Sequence, residues 1–307
     1  MRSSAQDMGL KFIDLFAGIG GMRLAFESAG AECVFSSEID KQAAVTYACN
    51  FHQLPHGDIT WCKGEIPPHD ILVAGIPCQT FSAIGSREGF KDPRGTLFSH
   101  VEKILDTHRP RAVLIENVKN FIHHDEGKTI GTVKDSLWRL GYETHIEVLD
   151  SLDFGLPQRR KRTYIVGMRD PGFSFPEPLG APPKLDTVLE DKADDDPALQ
   201  VSERIRAKRL RQAEGMDQFE PSIWFENKSQ QIYILPFAPT LRANPSHNYL
   251  LVNGVRRPSV REMLRFQGFP ETFLIDGAYG NARRMTGNAV PVTVVKAIAK
   301  RMLEVME

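Results

Sequence analysis

KFIDLFAGIGG, Lys11 to Gly21, decides the fold. Lys11 to Phe16 is apolar enough for a buried strand, Gly18, Gly20 and Gly21 turn the chain, and Met22 to Ala29 continues as an amphipathic helix that ends at Gly30. A glycine turn between strand and helix lets a ligand approach the backbone closely. The G-x-G spacing alone fits dinucleotide, flavin and S-adenosylmethionine binders equally. A second strand, Cys33 to Glu38, ends in Glu38 and Asp40. A carboxylate roughly 20 residues past such a turn can accept both hydroxyls of a ribose. We assign Glu38 to that role and Asp40 to capping the helix Lys41 to Asn50. Asp58, in GDIT, opens another loop at the same sheet end, where it can accept from an adenine amino group or serve as a turn carboxylate. Strands alternating with helices predict an α/β fold, a doubly wound and mostly parallel sheet with its site at the strand carboxyl ends.

The chain of 307 residues suits a large domain plus a smaller one. Its net charge of -1 gives no global pull on a polyanion, so a nucleic-acid partner has to meet a local basic face. Cys33, Cys49, Cys62 and Cys78 form no C-x-x-C pair, and no signal peptide or membrane span is expected. These features predict reduced thiols, a cytoplasmic setting and no structural zinc. His123 and His124 are not read as metal ligands, because adjacent histidines point apart.

Chemistry concentrates in GIPCQTFS, Gly75 to Ser82. Cys78 follows the strand Ile71 to Ala74 and Pro77, which fixes its direction and leaves it partly open, as a nucleophile requires. The glycine-rich loop from Cys78 to Gly95 offers Ser82, Ser86, Arg87, Lys91 and Arg94 to phosphates and suits a lid. The strand Ala112 to Ile115 brings Glu116 to the same sheet edge, where an acid is costly to ionise and can donate as a neutral group. Between the strands Glu143 to Asp150 and Thr163 to Met168 lies QRRKR, Gln158 to Arg162. Alternation sends Arg160 and Arg162 to one face, Arg159 and Lys161 to the other.

After Met168 the composition shifts. A proline-rich run, the acidic Glu190 to Asp196 and a basic helix, Ser202 to Glu214, open a second domain. Short strands are expected within Trp224 to Asn253. A capping box, Ser259 with Glu262, starts a helix that stops at Gly268. A last helix is expected over Asn288 to Met302.

The order DLFAGIGG, SSEID, GDIT, GIPCQTFS, ENV, QRRKR, RPSVREMLRFQGFP and GNAV resembles the DNA (cytosine-5)-methyltransferases, above all the small bacterial members paired with restriction enzymes. The resemblance implies that S-adenosylmethionine binds at Phe16, Ala17, Gly18, Gly20, Glu38, Ile39, Asp58, Ile59, Pro77, Leu97 and Asn288. It also implies catalysis by Cys78, Glu116, Arg160 and Arg162, no metal, and DNA contacts by Ser82, Arg94, Thr240 and Arg242. Its domains would be 1–170 for catalysis, 171–277 for target recognition, and 278–307 returning to the first. The implied setting is a bacterial cytoplasmic monomer acting on double-stranded DNA, with a cognate restriction endonuclease in the cell. Two other readings are a transfer RNA cytosine-5 methyltransferase, disfavoured because Cys-Phe-Thr is absent, and a silent DNA-binding homologue, disfavoured by the intact Cys78, Glu116, Arg160 and Arg162.

Overall fold

The computed structural model describes residues 9–61, 66–77, 96–243 and 248–307. They form two compact units, one of 1–149, 161–177 and 294–307, the other of 150–160 and 178–293. The sequence reading drew its boundaries at 170/171 and 277/278.

The first unit is built on a six-stranded sheet. Its strands are β1 (Lys11–Leu15), β2 (Glu32–Ser37), β3 (Ile71–Gly75), β4 (Ala112–Val118), β5 (Glu143–Asp150) and, after the two-residue β6 (Gln158–Arg159), β7 (Lys161–Met168), in the order β2-β1-β3-β4-β7-β5. The pairs β1–β2, β1–β3 and β3–β4 are parallel, and β7 runs antiparallel to β4. The α/β, mostly parallel architecture is therefore the expected one. Its helices are α1 (Gly21–Glu27), α2 (Lys41–Phe51), α3 (Thr96–His108) and α4 (Lys128–Arg139).

Strand alternation sorts the core. Ile13 and Leu15 of β1, Leu72 and Ala74 of β3 and Val113 and Ile115 of β4 face one way, against Phe98, Val101 and Leu105 of α3 and Val133 and Leu137 of α4. These helix residues recur at three or four positions, the spacing of one helix face. The other face of β1 carries Phe12, which packs on Phe26 of α1 with ring centroids 5.2 Å apart, and Asp14.

Asp14 is fully buried, and neither of its carboxyl oxygens meets a hydrogen-bond partner among the described residues. Burial pushes its acid up to about 8, against the pull of the Arg23 charge. Nearby, Arg23 donates to Tyr47 Oη at 3.0 Å, to Gln53 Oε1 at 2.8 Å and to Glu27 Oε1 at 2.7 Å.

The second unit centres on a three-stranded antiparallel sheet of β8 (Ile223–Glu226), β9 (Ile232–Leu235) and β11 (Leu250–Val252), while β10 (Ala238–Pro239) pairs in parallel with β6. Helix α5 (Glu203–Ala213) is the expected basic helix, and its Ala213 packs with Trp224, Ile232 and Ile234. The opposite side, Ile223, Leu250 and Val252, packs with Leu241 and with Met263 and Phe266 of α6 (Val260–Phe266). Helix α6 opens with the expected capping box, Glu262 N–H donating to Ser259 Oγ at 3.0 Å and Ser259 N–H to Glu262 Oε2 at 2.8 Å. The same carboxylate takes Arg256 side-on, at 2.7 and 2.8 Å, with both residues buried.

The chain ends in α7 (Tyr279–Asn288) and α8 (Val292–Met306). The final helix therefore begins at Val292, not Asn288, because Pro291 cannot continue α7 and opens α8 instead.

Two stability predictions follow from these buried charges. Unfolded Asp14 loses its proton near 3.8, the ordinary carboxyl range, and folded Asp14 at about 8, so its contribution destabilises the fold increasingly as pH rises across that window. Asp14→Asn should therefore gain stability over wild type between about pH 5 and about pH 8, by up to ~1.4 kcal/mol per pH unit, in urea titrations at both pH values. Glu262→Ala removes the buried bidentate partner of Arg256, leaving it Asp194 at the surface, and should lower the unfolding free energy by about 3 kcal/mol in the same assay.

Candidate active site

The parallel strands β1, β2, β3 and β4 end on the same sheet edge. Phe16 holds a left-handed backbone (φ 58°), rare for a bulky residue and a mark of local strain. Ala17 N–H donates to Ser37 O at 2.9 Å and Gly20 N–H to Ala17 O at 2.8 Å, which closes the loop against β2. Gly20 has φ 90°, and a Cβ there would lie 2.2 Å from the Phe51 ring, so no other residue fits. The ring of Phe16 is half-buried against the sheet core.

Glu38 ties this turn to the next strand end. Its Oε2 accepts the Gly18 N–H and its Oε1 the Asp40 N–H, each at 2.7 Å. Burial raises its pKa, and these backbone donors pull the other way. A carboxylate has about four lone-pair sites, more than these donors fill. Asp40 caps α2, accepting from the N–H groups of Gln42 and Ala43 at 3.0 and 3.1 Å. Ile39, between the two acids, is 71% exposed, an apolar side chain at the rim with nothing to cover it from its own strand. The third loop docks through a bridge between Ser37 and His56, with Glu38 N–H donating to His56 O at 2.8 Å. Asp58 follows two residues on, its Oδ1 accepting the Thr60 N–H at 2.9 Å. Ile59 turns inward and joins the sheet core.

Beyond β3, Ile76 is buried and Pro77 exposed. Cys78, Ser82 and Arg94 lie outside the described residues. Asn117, buried after Glu116, donates through Nδ2 to Ile76 O at 2.9 Å and accepts the Val118 N–H at 2.8 Å. The ENV triplet was its only signal in the sequence, which gave Asn117 no role; the structure shows it pinning the backbone two residues before Cys78.

Glu116 pairs in register with Gly75, and a Cβ on Gly75 would stand 3.9 Å from Glu116 Oε2. Across the antiparallel pair, Arg162 faces Val118 and is the diagonal neighbour of Glu116, within reach of a long side chain. Its Nε lies 3.1 Å from Glu116 Oε1, and both side chains are 12% exposed. Carboxyl and guanidinium thus stand together at the edge where the cysteine loop leaves β3. Leu97 is half-buried in the first turn of α3.

Arg160 has other partners. Alternation does bury Arg160 and leave Arg159 and Lys161 exposed, as expected. Yet Arg160 falls between β6 and β7 and belongs to the second unit, where its guanidinium donates to Leu241 O at 2.9 Å, Gly287 O at 3.1 Å and Ala289 O at 2.8 Å. It is 2% exposed and holds three carbonyls, whereas Arg162 stands beside the Glu116 carboxyl. In the same unit, Thr240 Oγ1 donates to Arg159 O at 2.8 Å. The Arg242 guanidinium stacks over Phe225 and Tyr249, 5.1 and 5.2 Å from their centroids. Asn288 is exposed at the end of α7.

Comparison with known proteins gives this arrangement its family. The model of the C-5 cytosine-specific DNA methylase family matches residues 10–304. The chain is 48% identical over 292 residues to the Type II methyltransferase M.NgoBI of Neisseria gonorrhoeae, covering 94% of this chain and 92% of that one. It is likewise 48% identical over 295 residues to M.HaeII of Haemophilus aegyptius, covering 95% and 92%. The solved methyltransferase EhMeth of Entamoeba histolytica shares the fold with a TM-score of 0.73 at 17% identity, over 97% of this chain and 99% of that one. The chain belongs to the C-5 cytosine-specific DNA methylases, enzymes that methylate carbon 5 of cytosine in DNA.

Proposed function

We propose that the methyl transfer runs through a covalent bond between Cys78 and carbon 6 of the target cytosine. The observation that carries the reading is the Glu116–Arg162 pair, 3.1 Å apart at the strand edge from which the Pro77-Cys78 loop departs. Cytosine C5 is too weak a nucleophile to take a methyl group unaided. Addition of a thiolate at C6 turns the ring into an enamine and makes C5 reactive. A free thiol is only roughly 3% thiolate at pH 7, so a neighbouring guanidinium, that of Arg162, favours the attacking form. Glu116, protonated once the base arrives, holds N3 and the exocyclic amine, and Arg162 engages O2, so both stabilise charge that builds on the ring. A base then removes the C5 proton and Cys78 is expelled.

S-adenosylmethionine, when bound, would supply a methyl group made electrophilic by its sulfonium, its sulfur leaving with the bonding electron pair as S-adenosylhomocysteine. The residues present fit it. Glu38 keeps lone pairs for the ribose hydroxyls, and Phe16 offers a ring held by a strained backbone at the glycine turn. Ile39 adds an uncovered apolar side chain for the adenine, and Asp58 a carboxylate for its amino group. Ala17, Gly18 and Gly20 surround the methionyl part, with Pro77, Leu97 and Asn288 completing the set by resemblance. Ile59, being buried, supports this wall from behind.

The cytosine must leave the stack, at a cost of about a few kcal/mol. We assign Ser82, Arg94, Thr240 and Arg242 to DNA, and the second unit to reading the target. We assign the chain to the bacterial cytoplasm, acting as a monomer on double-stranded DNA beside a cognate restriction endonuclease; the bacterial source of the Type II relatives supports the bacterial part of that assignment.

Cys78→Ser should abolish tritiated methyl transfer and form no adduct with a 5-fluorocytosine duplex, while still shifting that duplex in a gel; transfer near the wild-type rate would remove the nucleophile from the mechanism. Glu116→Gln keeps a hydrogen-bonding group but fixes its protonation, and should slow single-turnover methylation by roughly 100-fold with DNA affinity little changed.

A further inference from the structure

Arg160 is a buried cation that the proposed chemistry does not use, and the three carbonyls it holds come from two separate parts of the chain. Leu241 O belongs to the segment Thr240-Leu241-Arg242, and Gly287 O and Ala289 O lie where α7 ends. Carbonyls at a helix C-terminus lack intrahelical donors and carry the negative end of the helix dipole, so a cation is the natural partner. Gln267 supports the same end, donating from Nε2 to Thr286 O at 2.8 Å.

The two segments also touch directly. A Cβ on Gly287 would lie 2.5 Å from the carbonyl carbon of Arg242 and 2.6 Å from Ala243 N. Glycine is therefore required for the backbone of α7 to meet the backbone of 242–243. From the other side, Ala238 N–H donates to Pro157 O at 2.7 Å and Thr240 Oγ1 to Arg159 O at 2.8 Å, so the run entering this segment is laced to β6. Residues 238–243 are thus seated between β6 and the end of α7, with the Arg160 fork spanning both. A lysine has one point charge and no planar fork, and would not reach three carbonyls in this geometry.

We infer that Arg160 is a positioning residue for target recognition: it sets the backbone of Leu241–Ala243, and so the presentation of Thr240 and Arg242 to DNA, without touching the reacting base. The inference rests on the proposal that the second unit reads the target. A residue that fixes the register of a reading segment governs which sequences are accepted, and one wrong base pair ordinarily costs about ten-fold or more in binding.

The test is bisulfite sequencing of plasmid DNA incubated with wild type, Arg160→Lys and Gly287→Ala, scoring methylation at the preferred site and at sites differing from it by one base pair. Circular dichroism melts report folding separately. Arg160→Lys should lose about ten-fold in the preferred-to-variant ratio and raise KM for DNA, with kcat at the preferred site within about three-fold of wild type. Gly287→Ala displaces the same segment from the opposite side and should lower the same ratio, so the inference stays testable if the lysine variant does not fold. Loss of folded protein alone would reduce methylation at every site equally and leave the ratio unchanged. An unchanged ratio in a variant whose melt shows it folded, or a fall in kcat matching that of Glu116→Gln, would overturn the assignment. A wild type that methylates all cytosines alike would instead overturn the reading of the second unit.

Discussion

Antiparallel pairing of β7 with β4 is the constraint on which the site depends. A parallel neighbour would send β7 in the opposite direction, and the residues that begin it would lie at the far edge of the sheet. Running antiparallel, its first residues meet the last residues of β4, so Arg162 lands opposite Val118 and diagonal to Glu116. The pairing brings together two groups 46 positions apart in the chain and holds them by backbone hydrogen bonds rather than by flexible loops. Thr163 reinforces this corner, its hydroxyl donating to Val118 O and Lys119 O at 3.2 Å each. Asn117 extends the same rigidity to Ile76, so the strand bearing the acid also fixes the backbone that leads into the cysteine loop.

Much of this was legible in the sequence because it rests on local rules. The strand, glycine turn and helix of Lys11 to Gly30, the cap at Asp40 and the capping box at Ser259 each follow from residue types at fixed short spacings, and the structure shows them there. Glu38 was singled out by its distance from the turn, and it meets Gly18 through its carboxylate. What escaped the reading depends on distant partners. Helix α7, YGNARRMTGN, carries two glycines and two asparagines and has poor intrinsic propensity; its helicity comes from packing Ala282 and Met285 into the interior. The two-residue strands β6 and β10 exist only because each pairs with the other, and no periodicity marks so short a run.

Arg160 shows the limit most plainly. Alternation puts it on one face with Arg162, away from the exposed Arg159 and Lys161, yet a shared face does not say which partners each will meet. One arginine found a carboxylate and the other found carbonyls from residues 81 to 129 positions away. A motif with two arginines at alternate positions therefore encodes two jobs, and only the partners supplied by the rest of the chain tell them apart.

The distribution of charge completes the picture. With a net charge of -1 the chain as a whole does not attract DNA, so its cations act by placement. Several are spent internally: Arg23 on Tyr47 and Gln53, Arg256 on Glu262, Arg209 on Glu226 at 2.8 Å, Arg160 on backbone. Burying a cation is costly unless its donors are satisfied, and each of these sites supplies acceptors at hydrogen-bonding distance. Arginine suits that use because its fork bonds several acceptors at once while holding its proton at any accessible pH. In the proposed mechanism the same property suits Arg162, whose permanent charge stands 3.1 Å from the Glu116 carboxyl. What separates the two arginines of QRRKR is thus what each faces, backbone carbonyls for Arg160 and a carboxyl for Arg162.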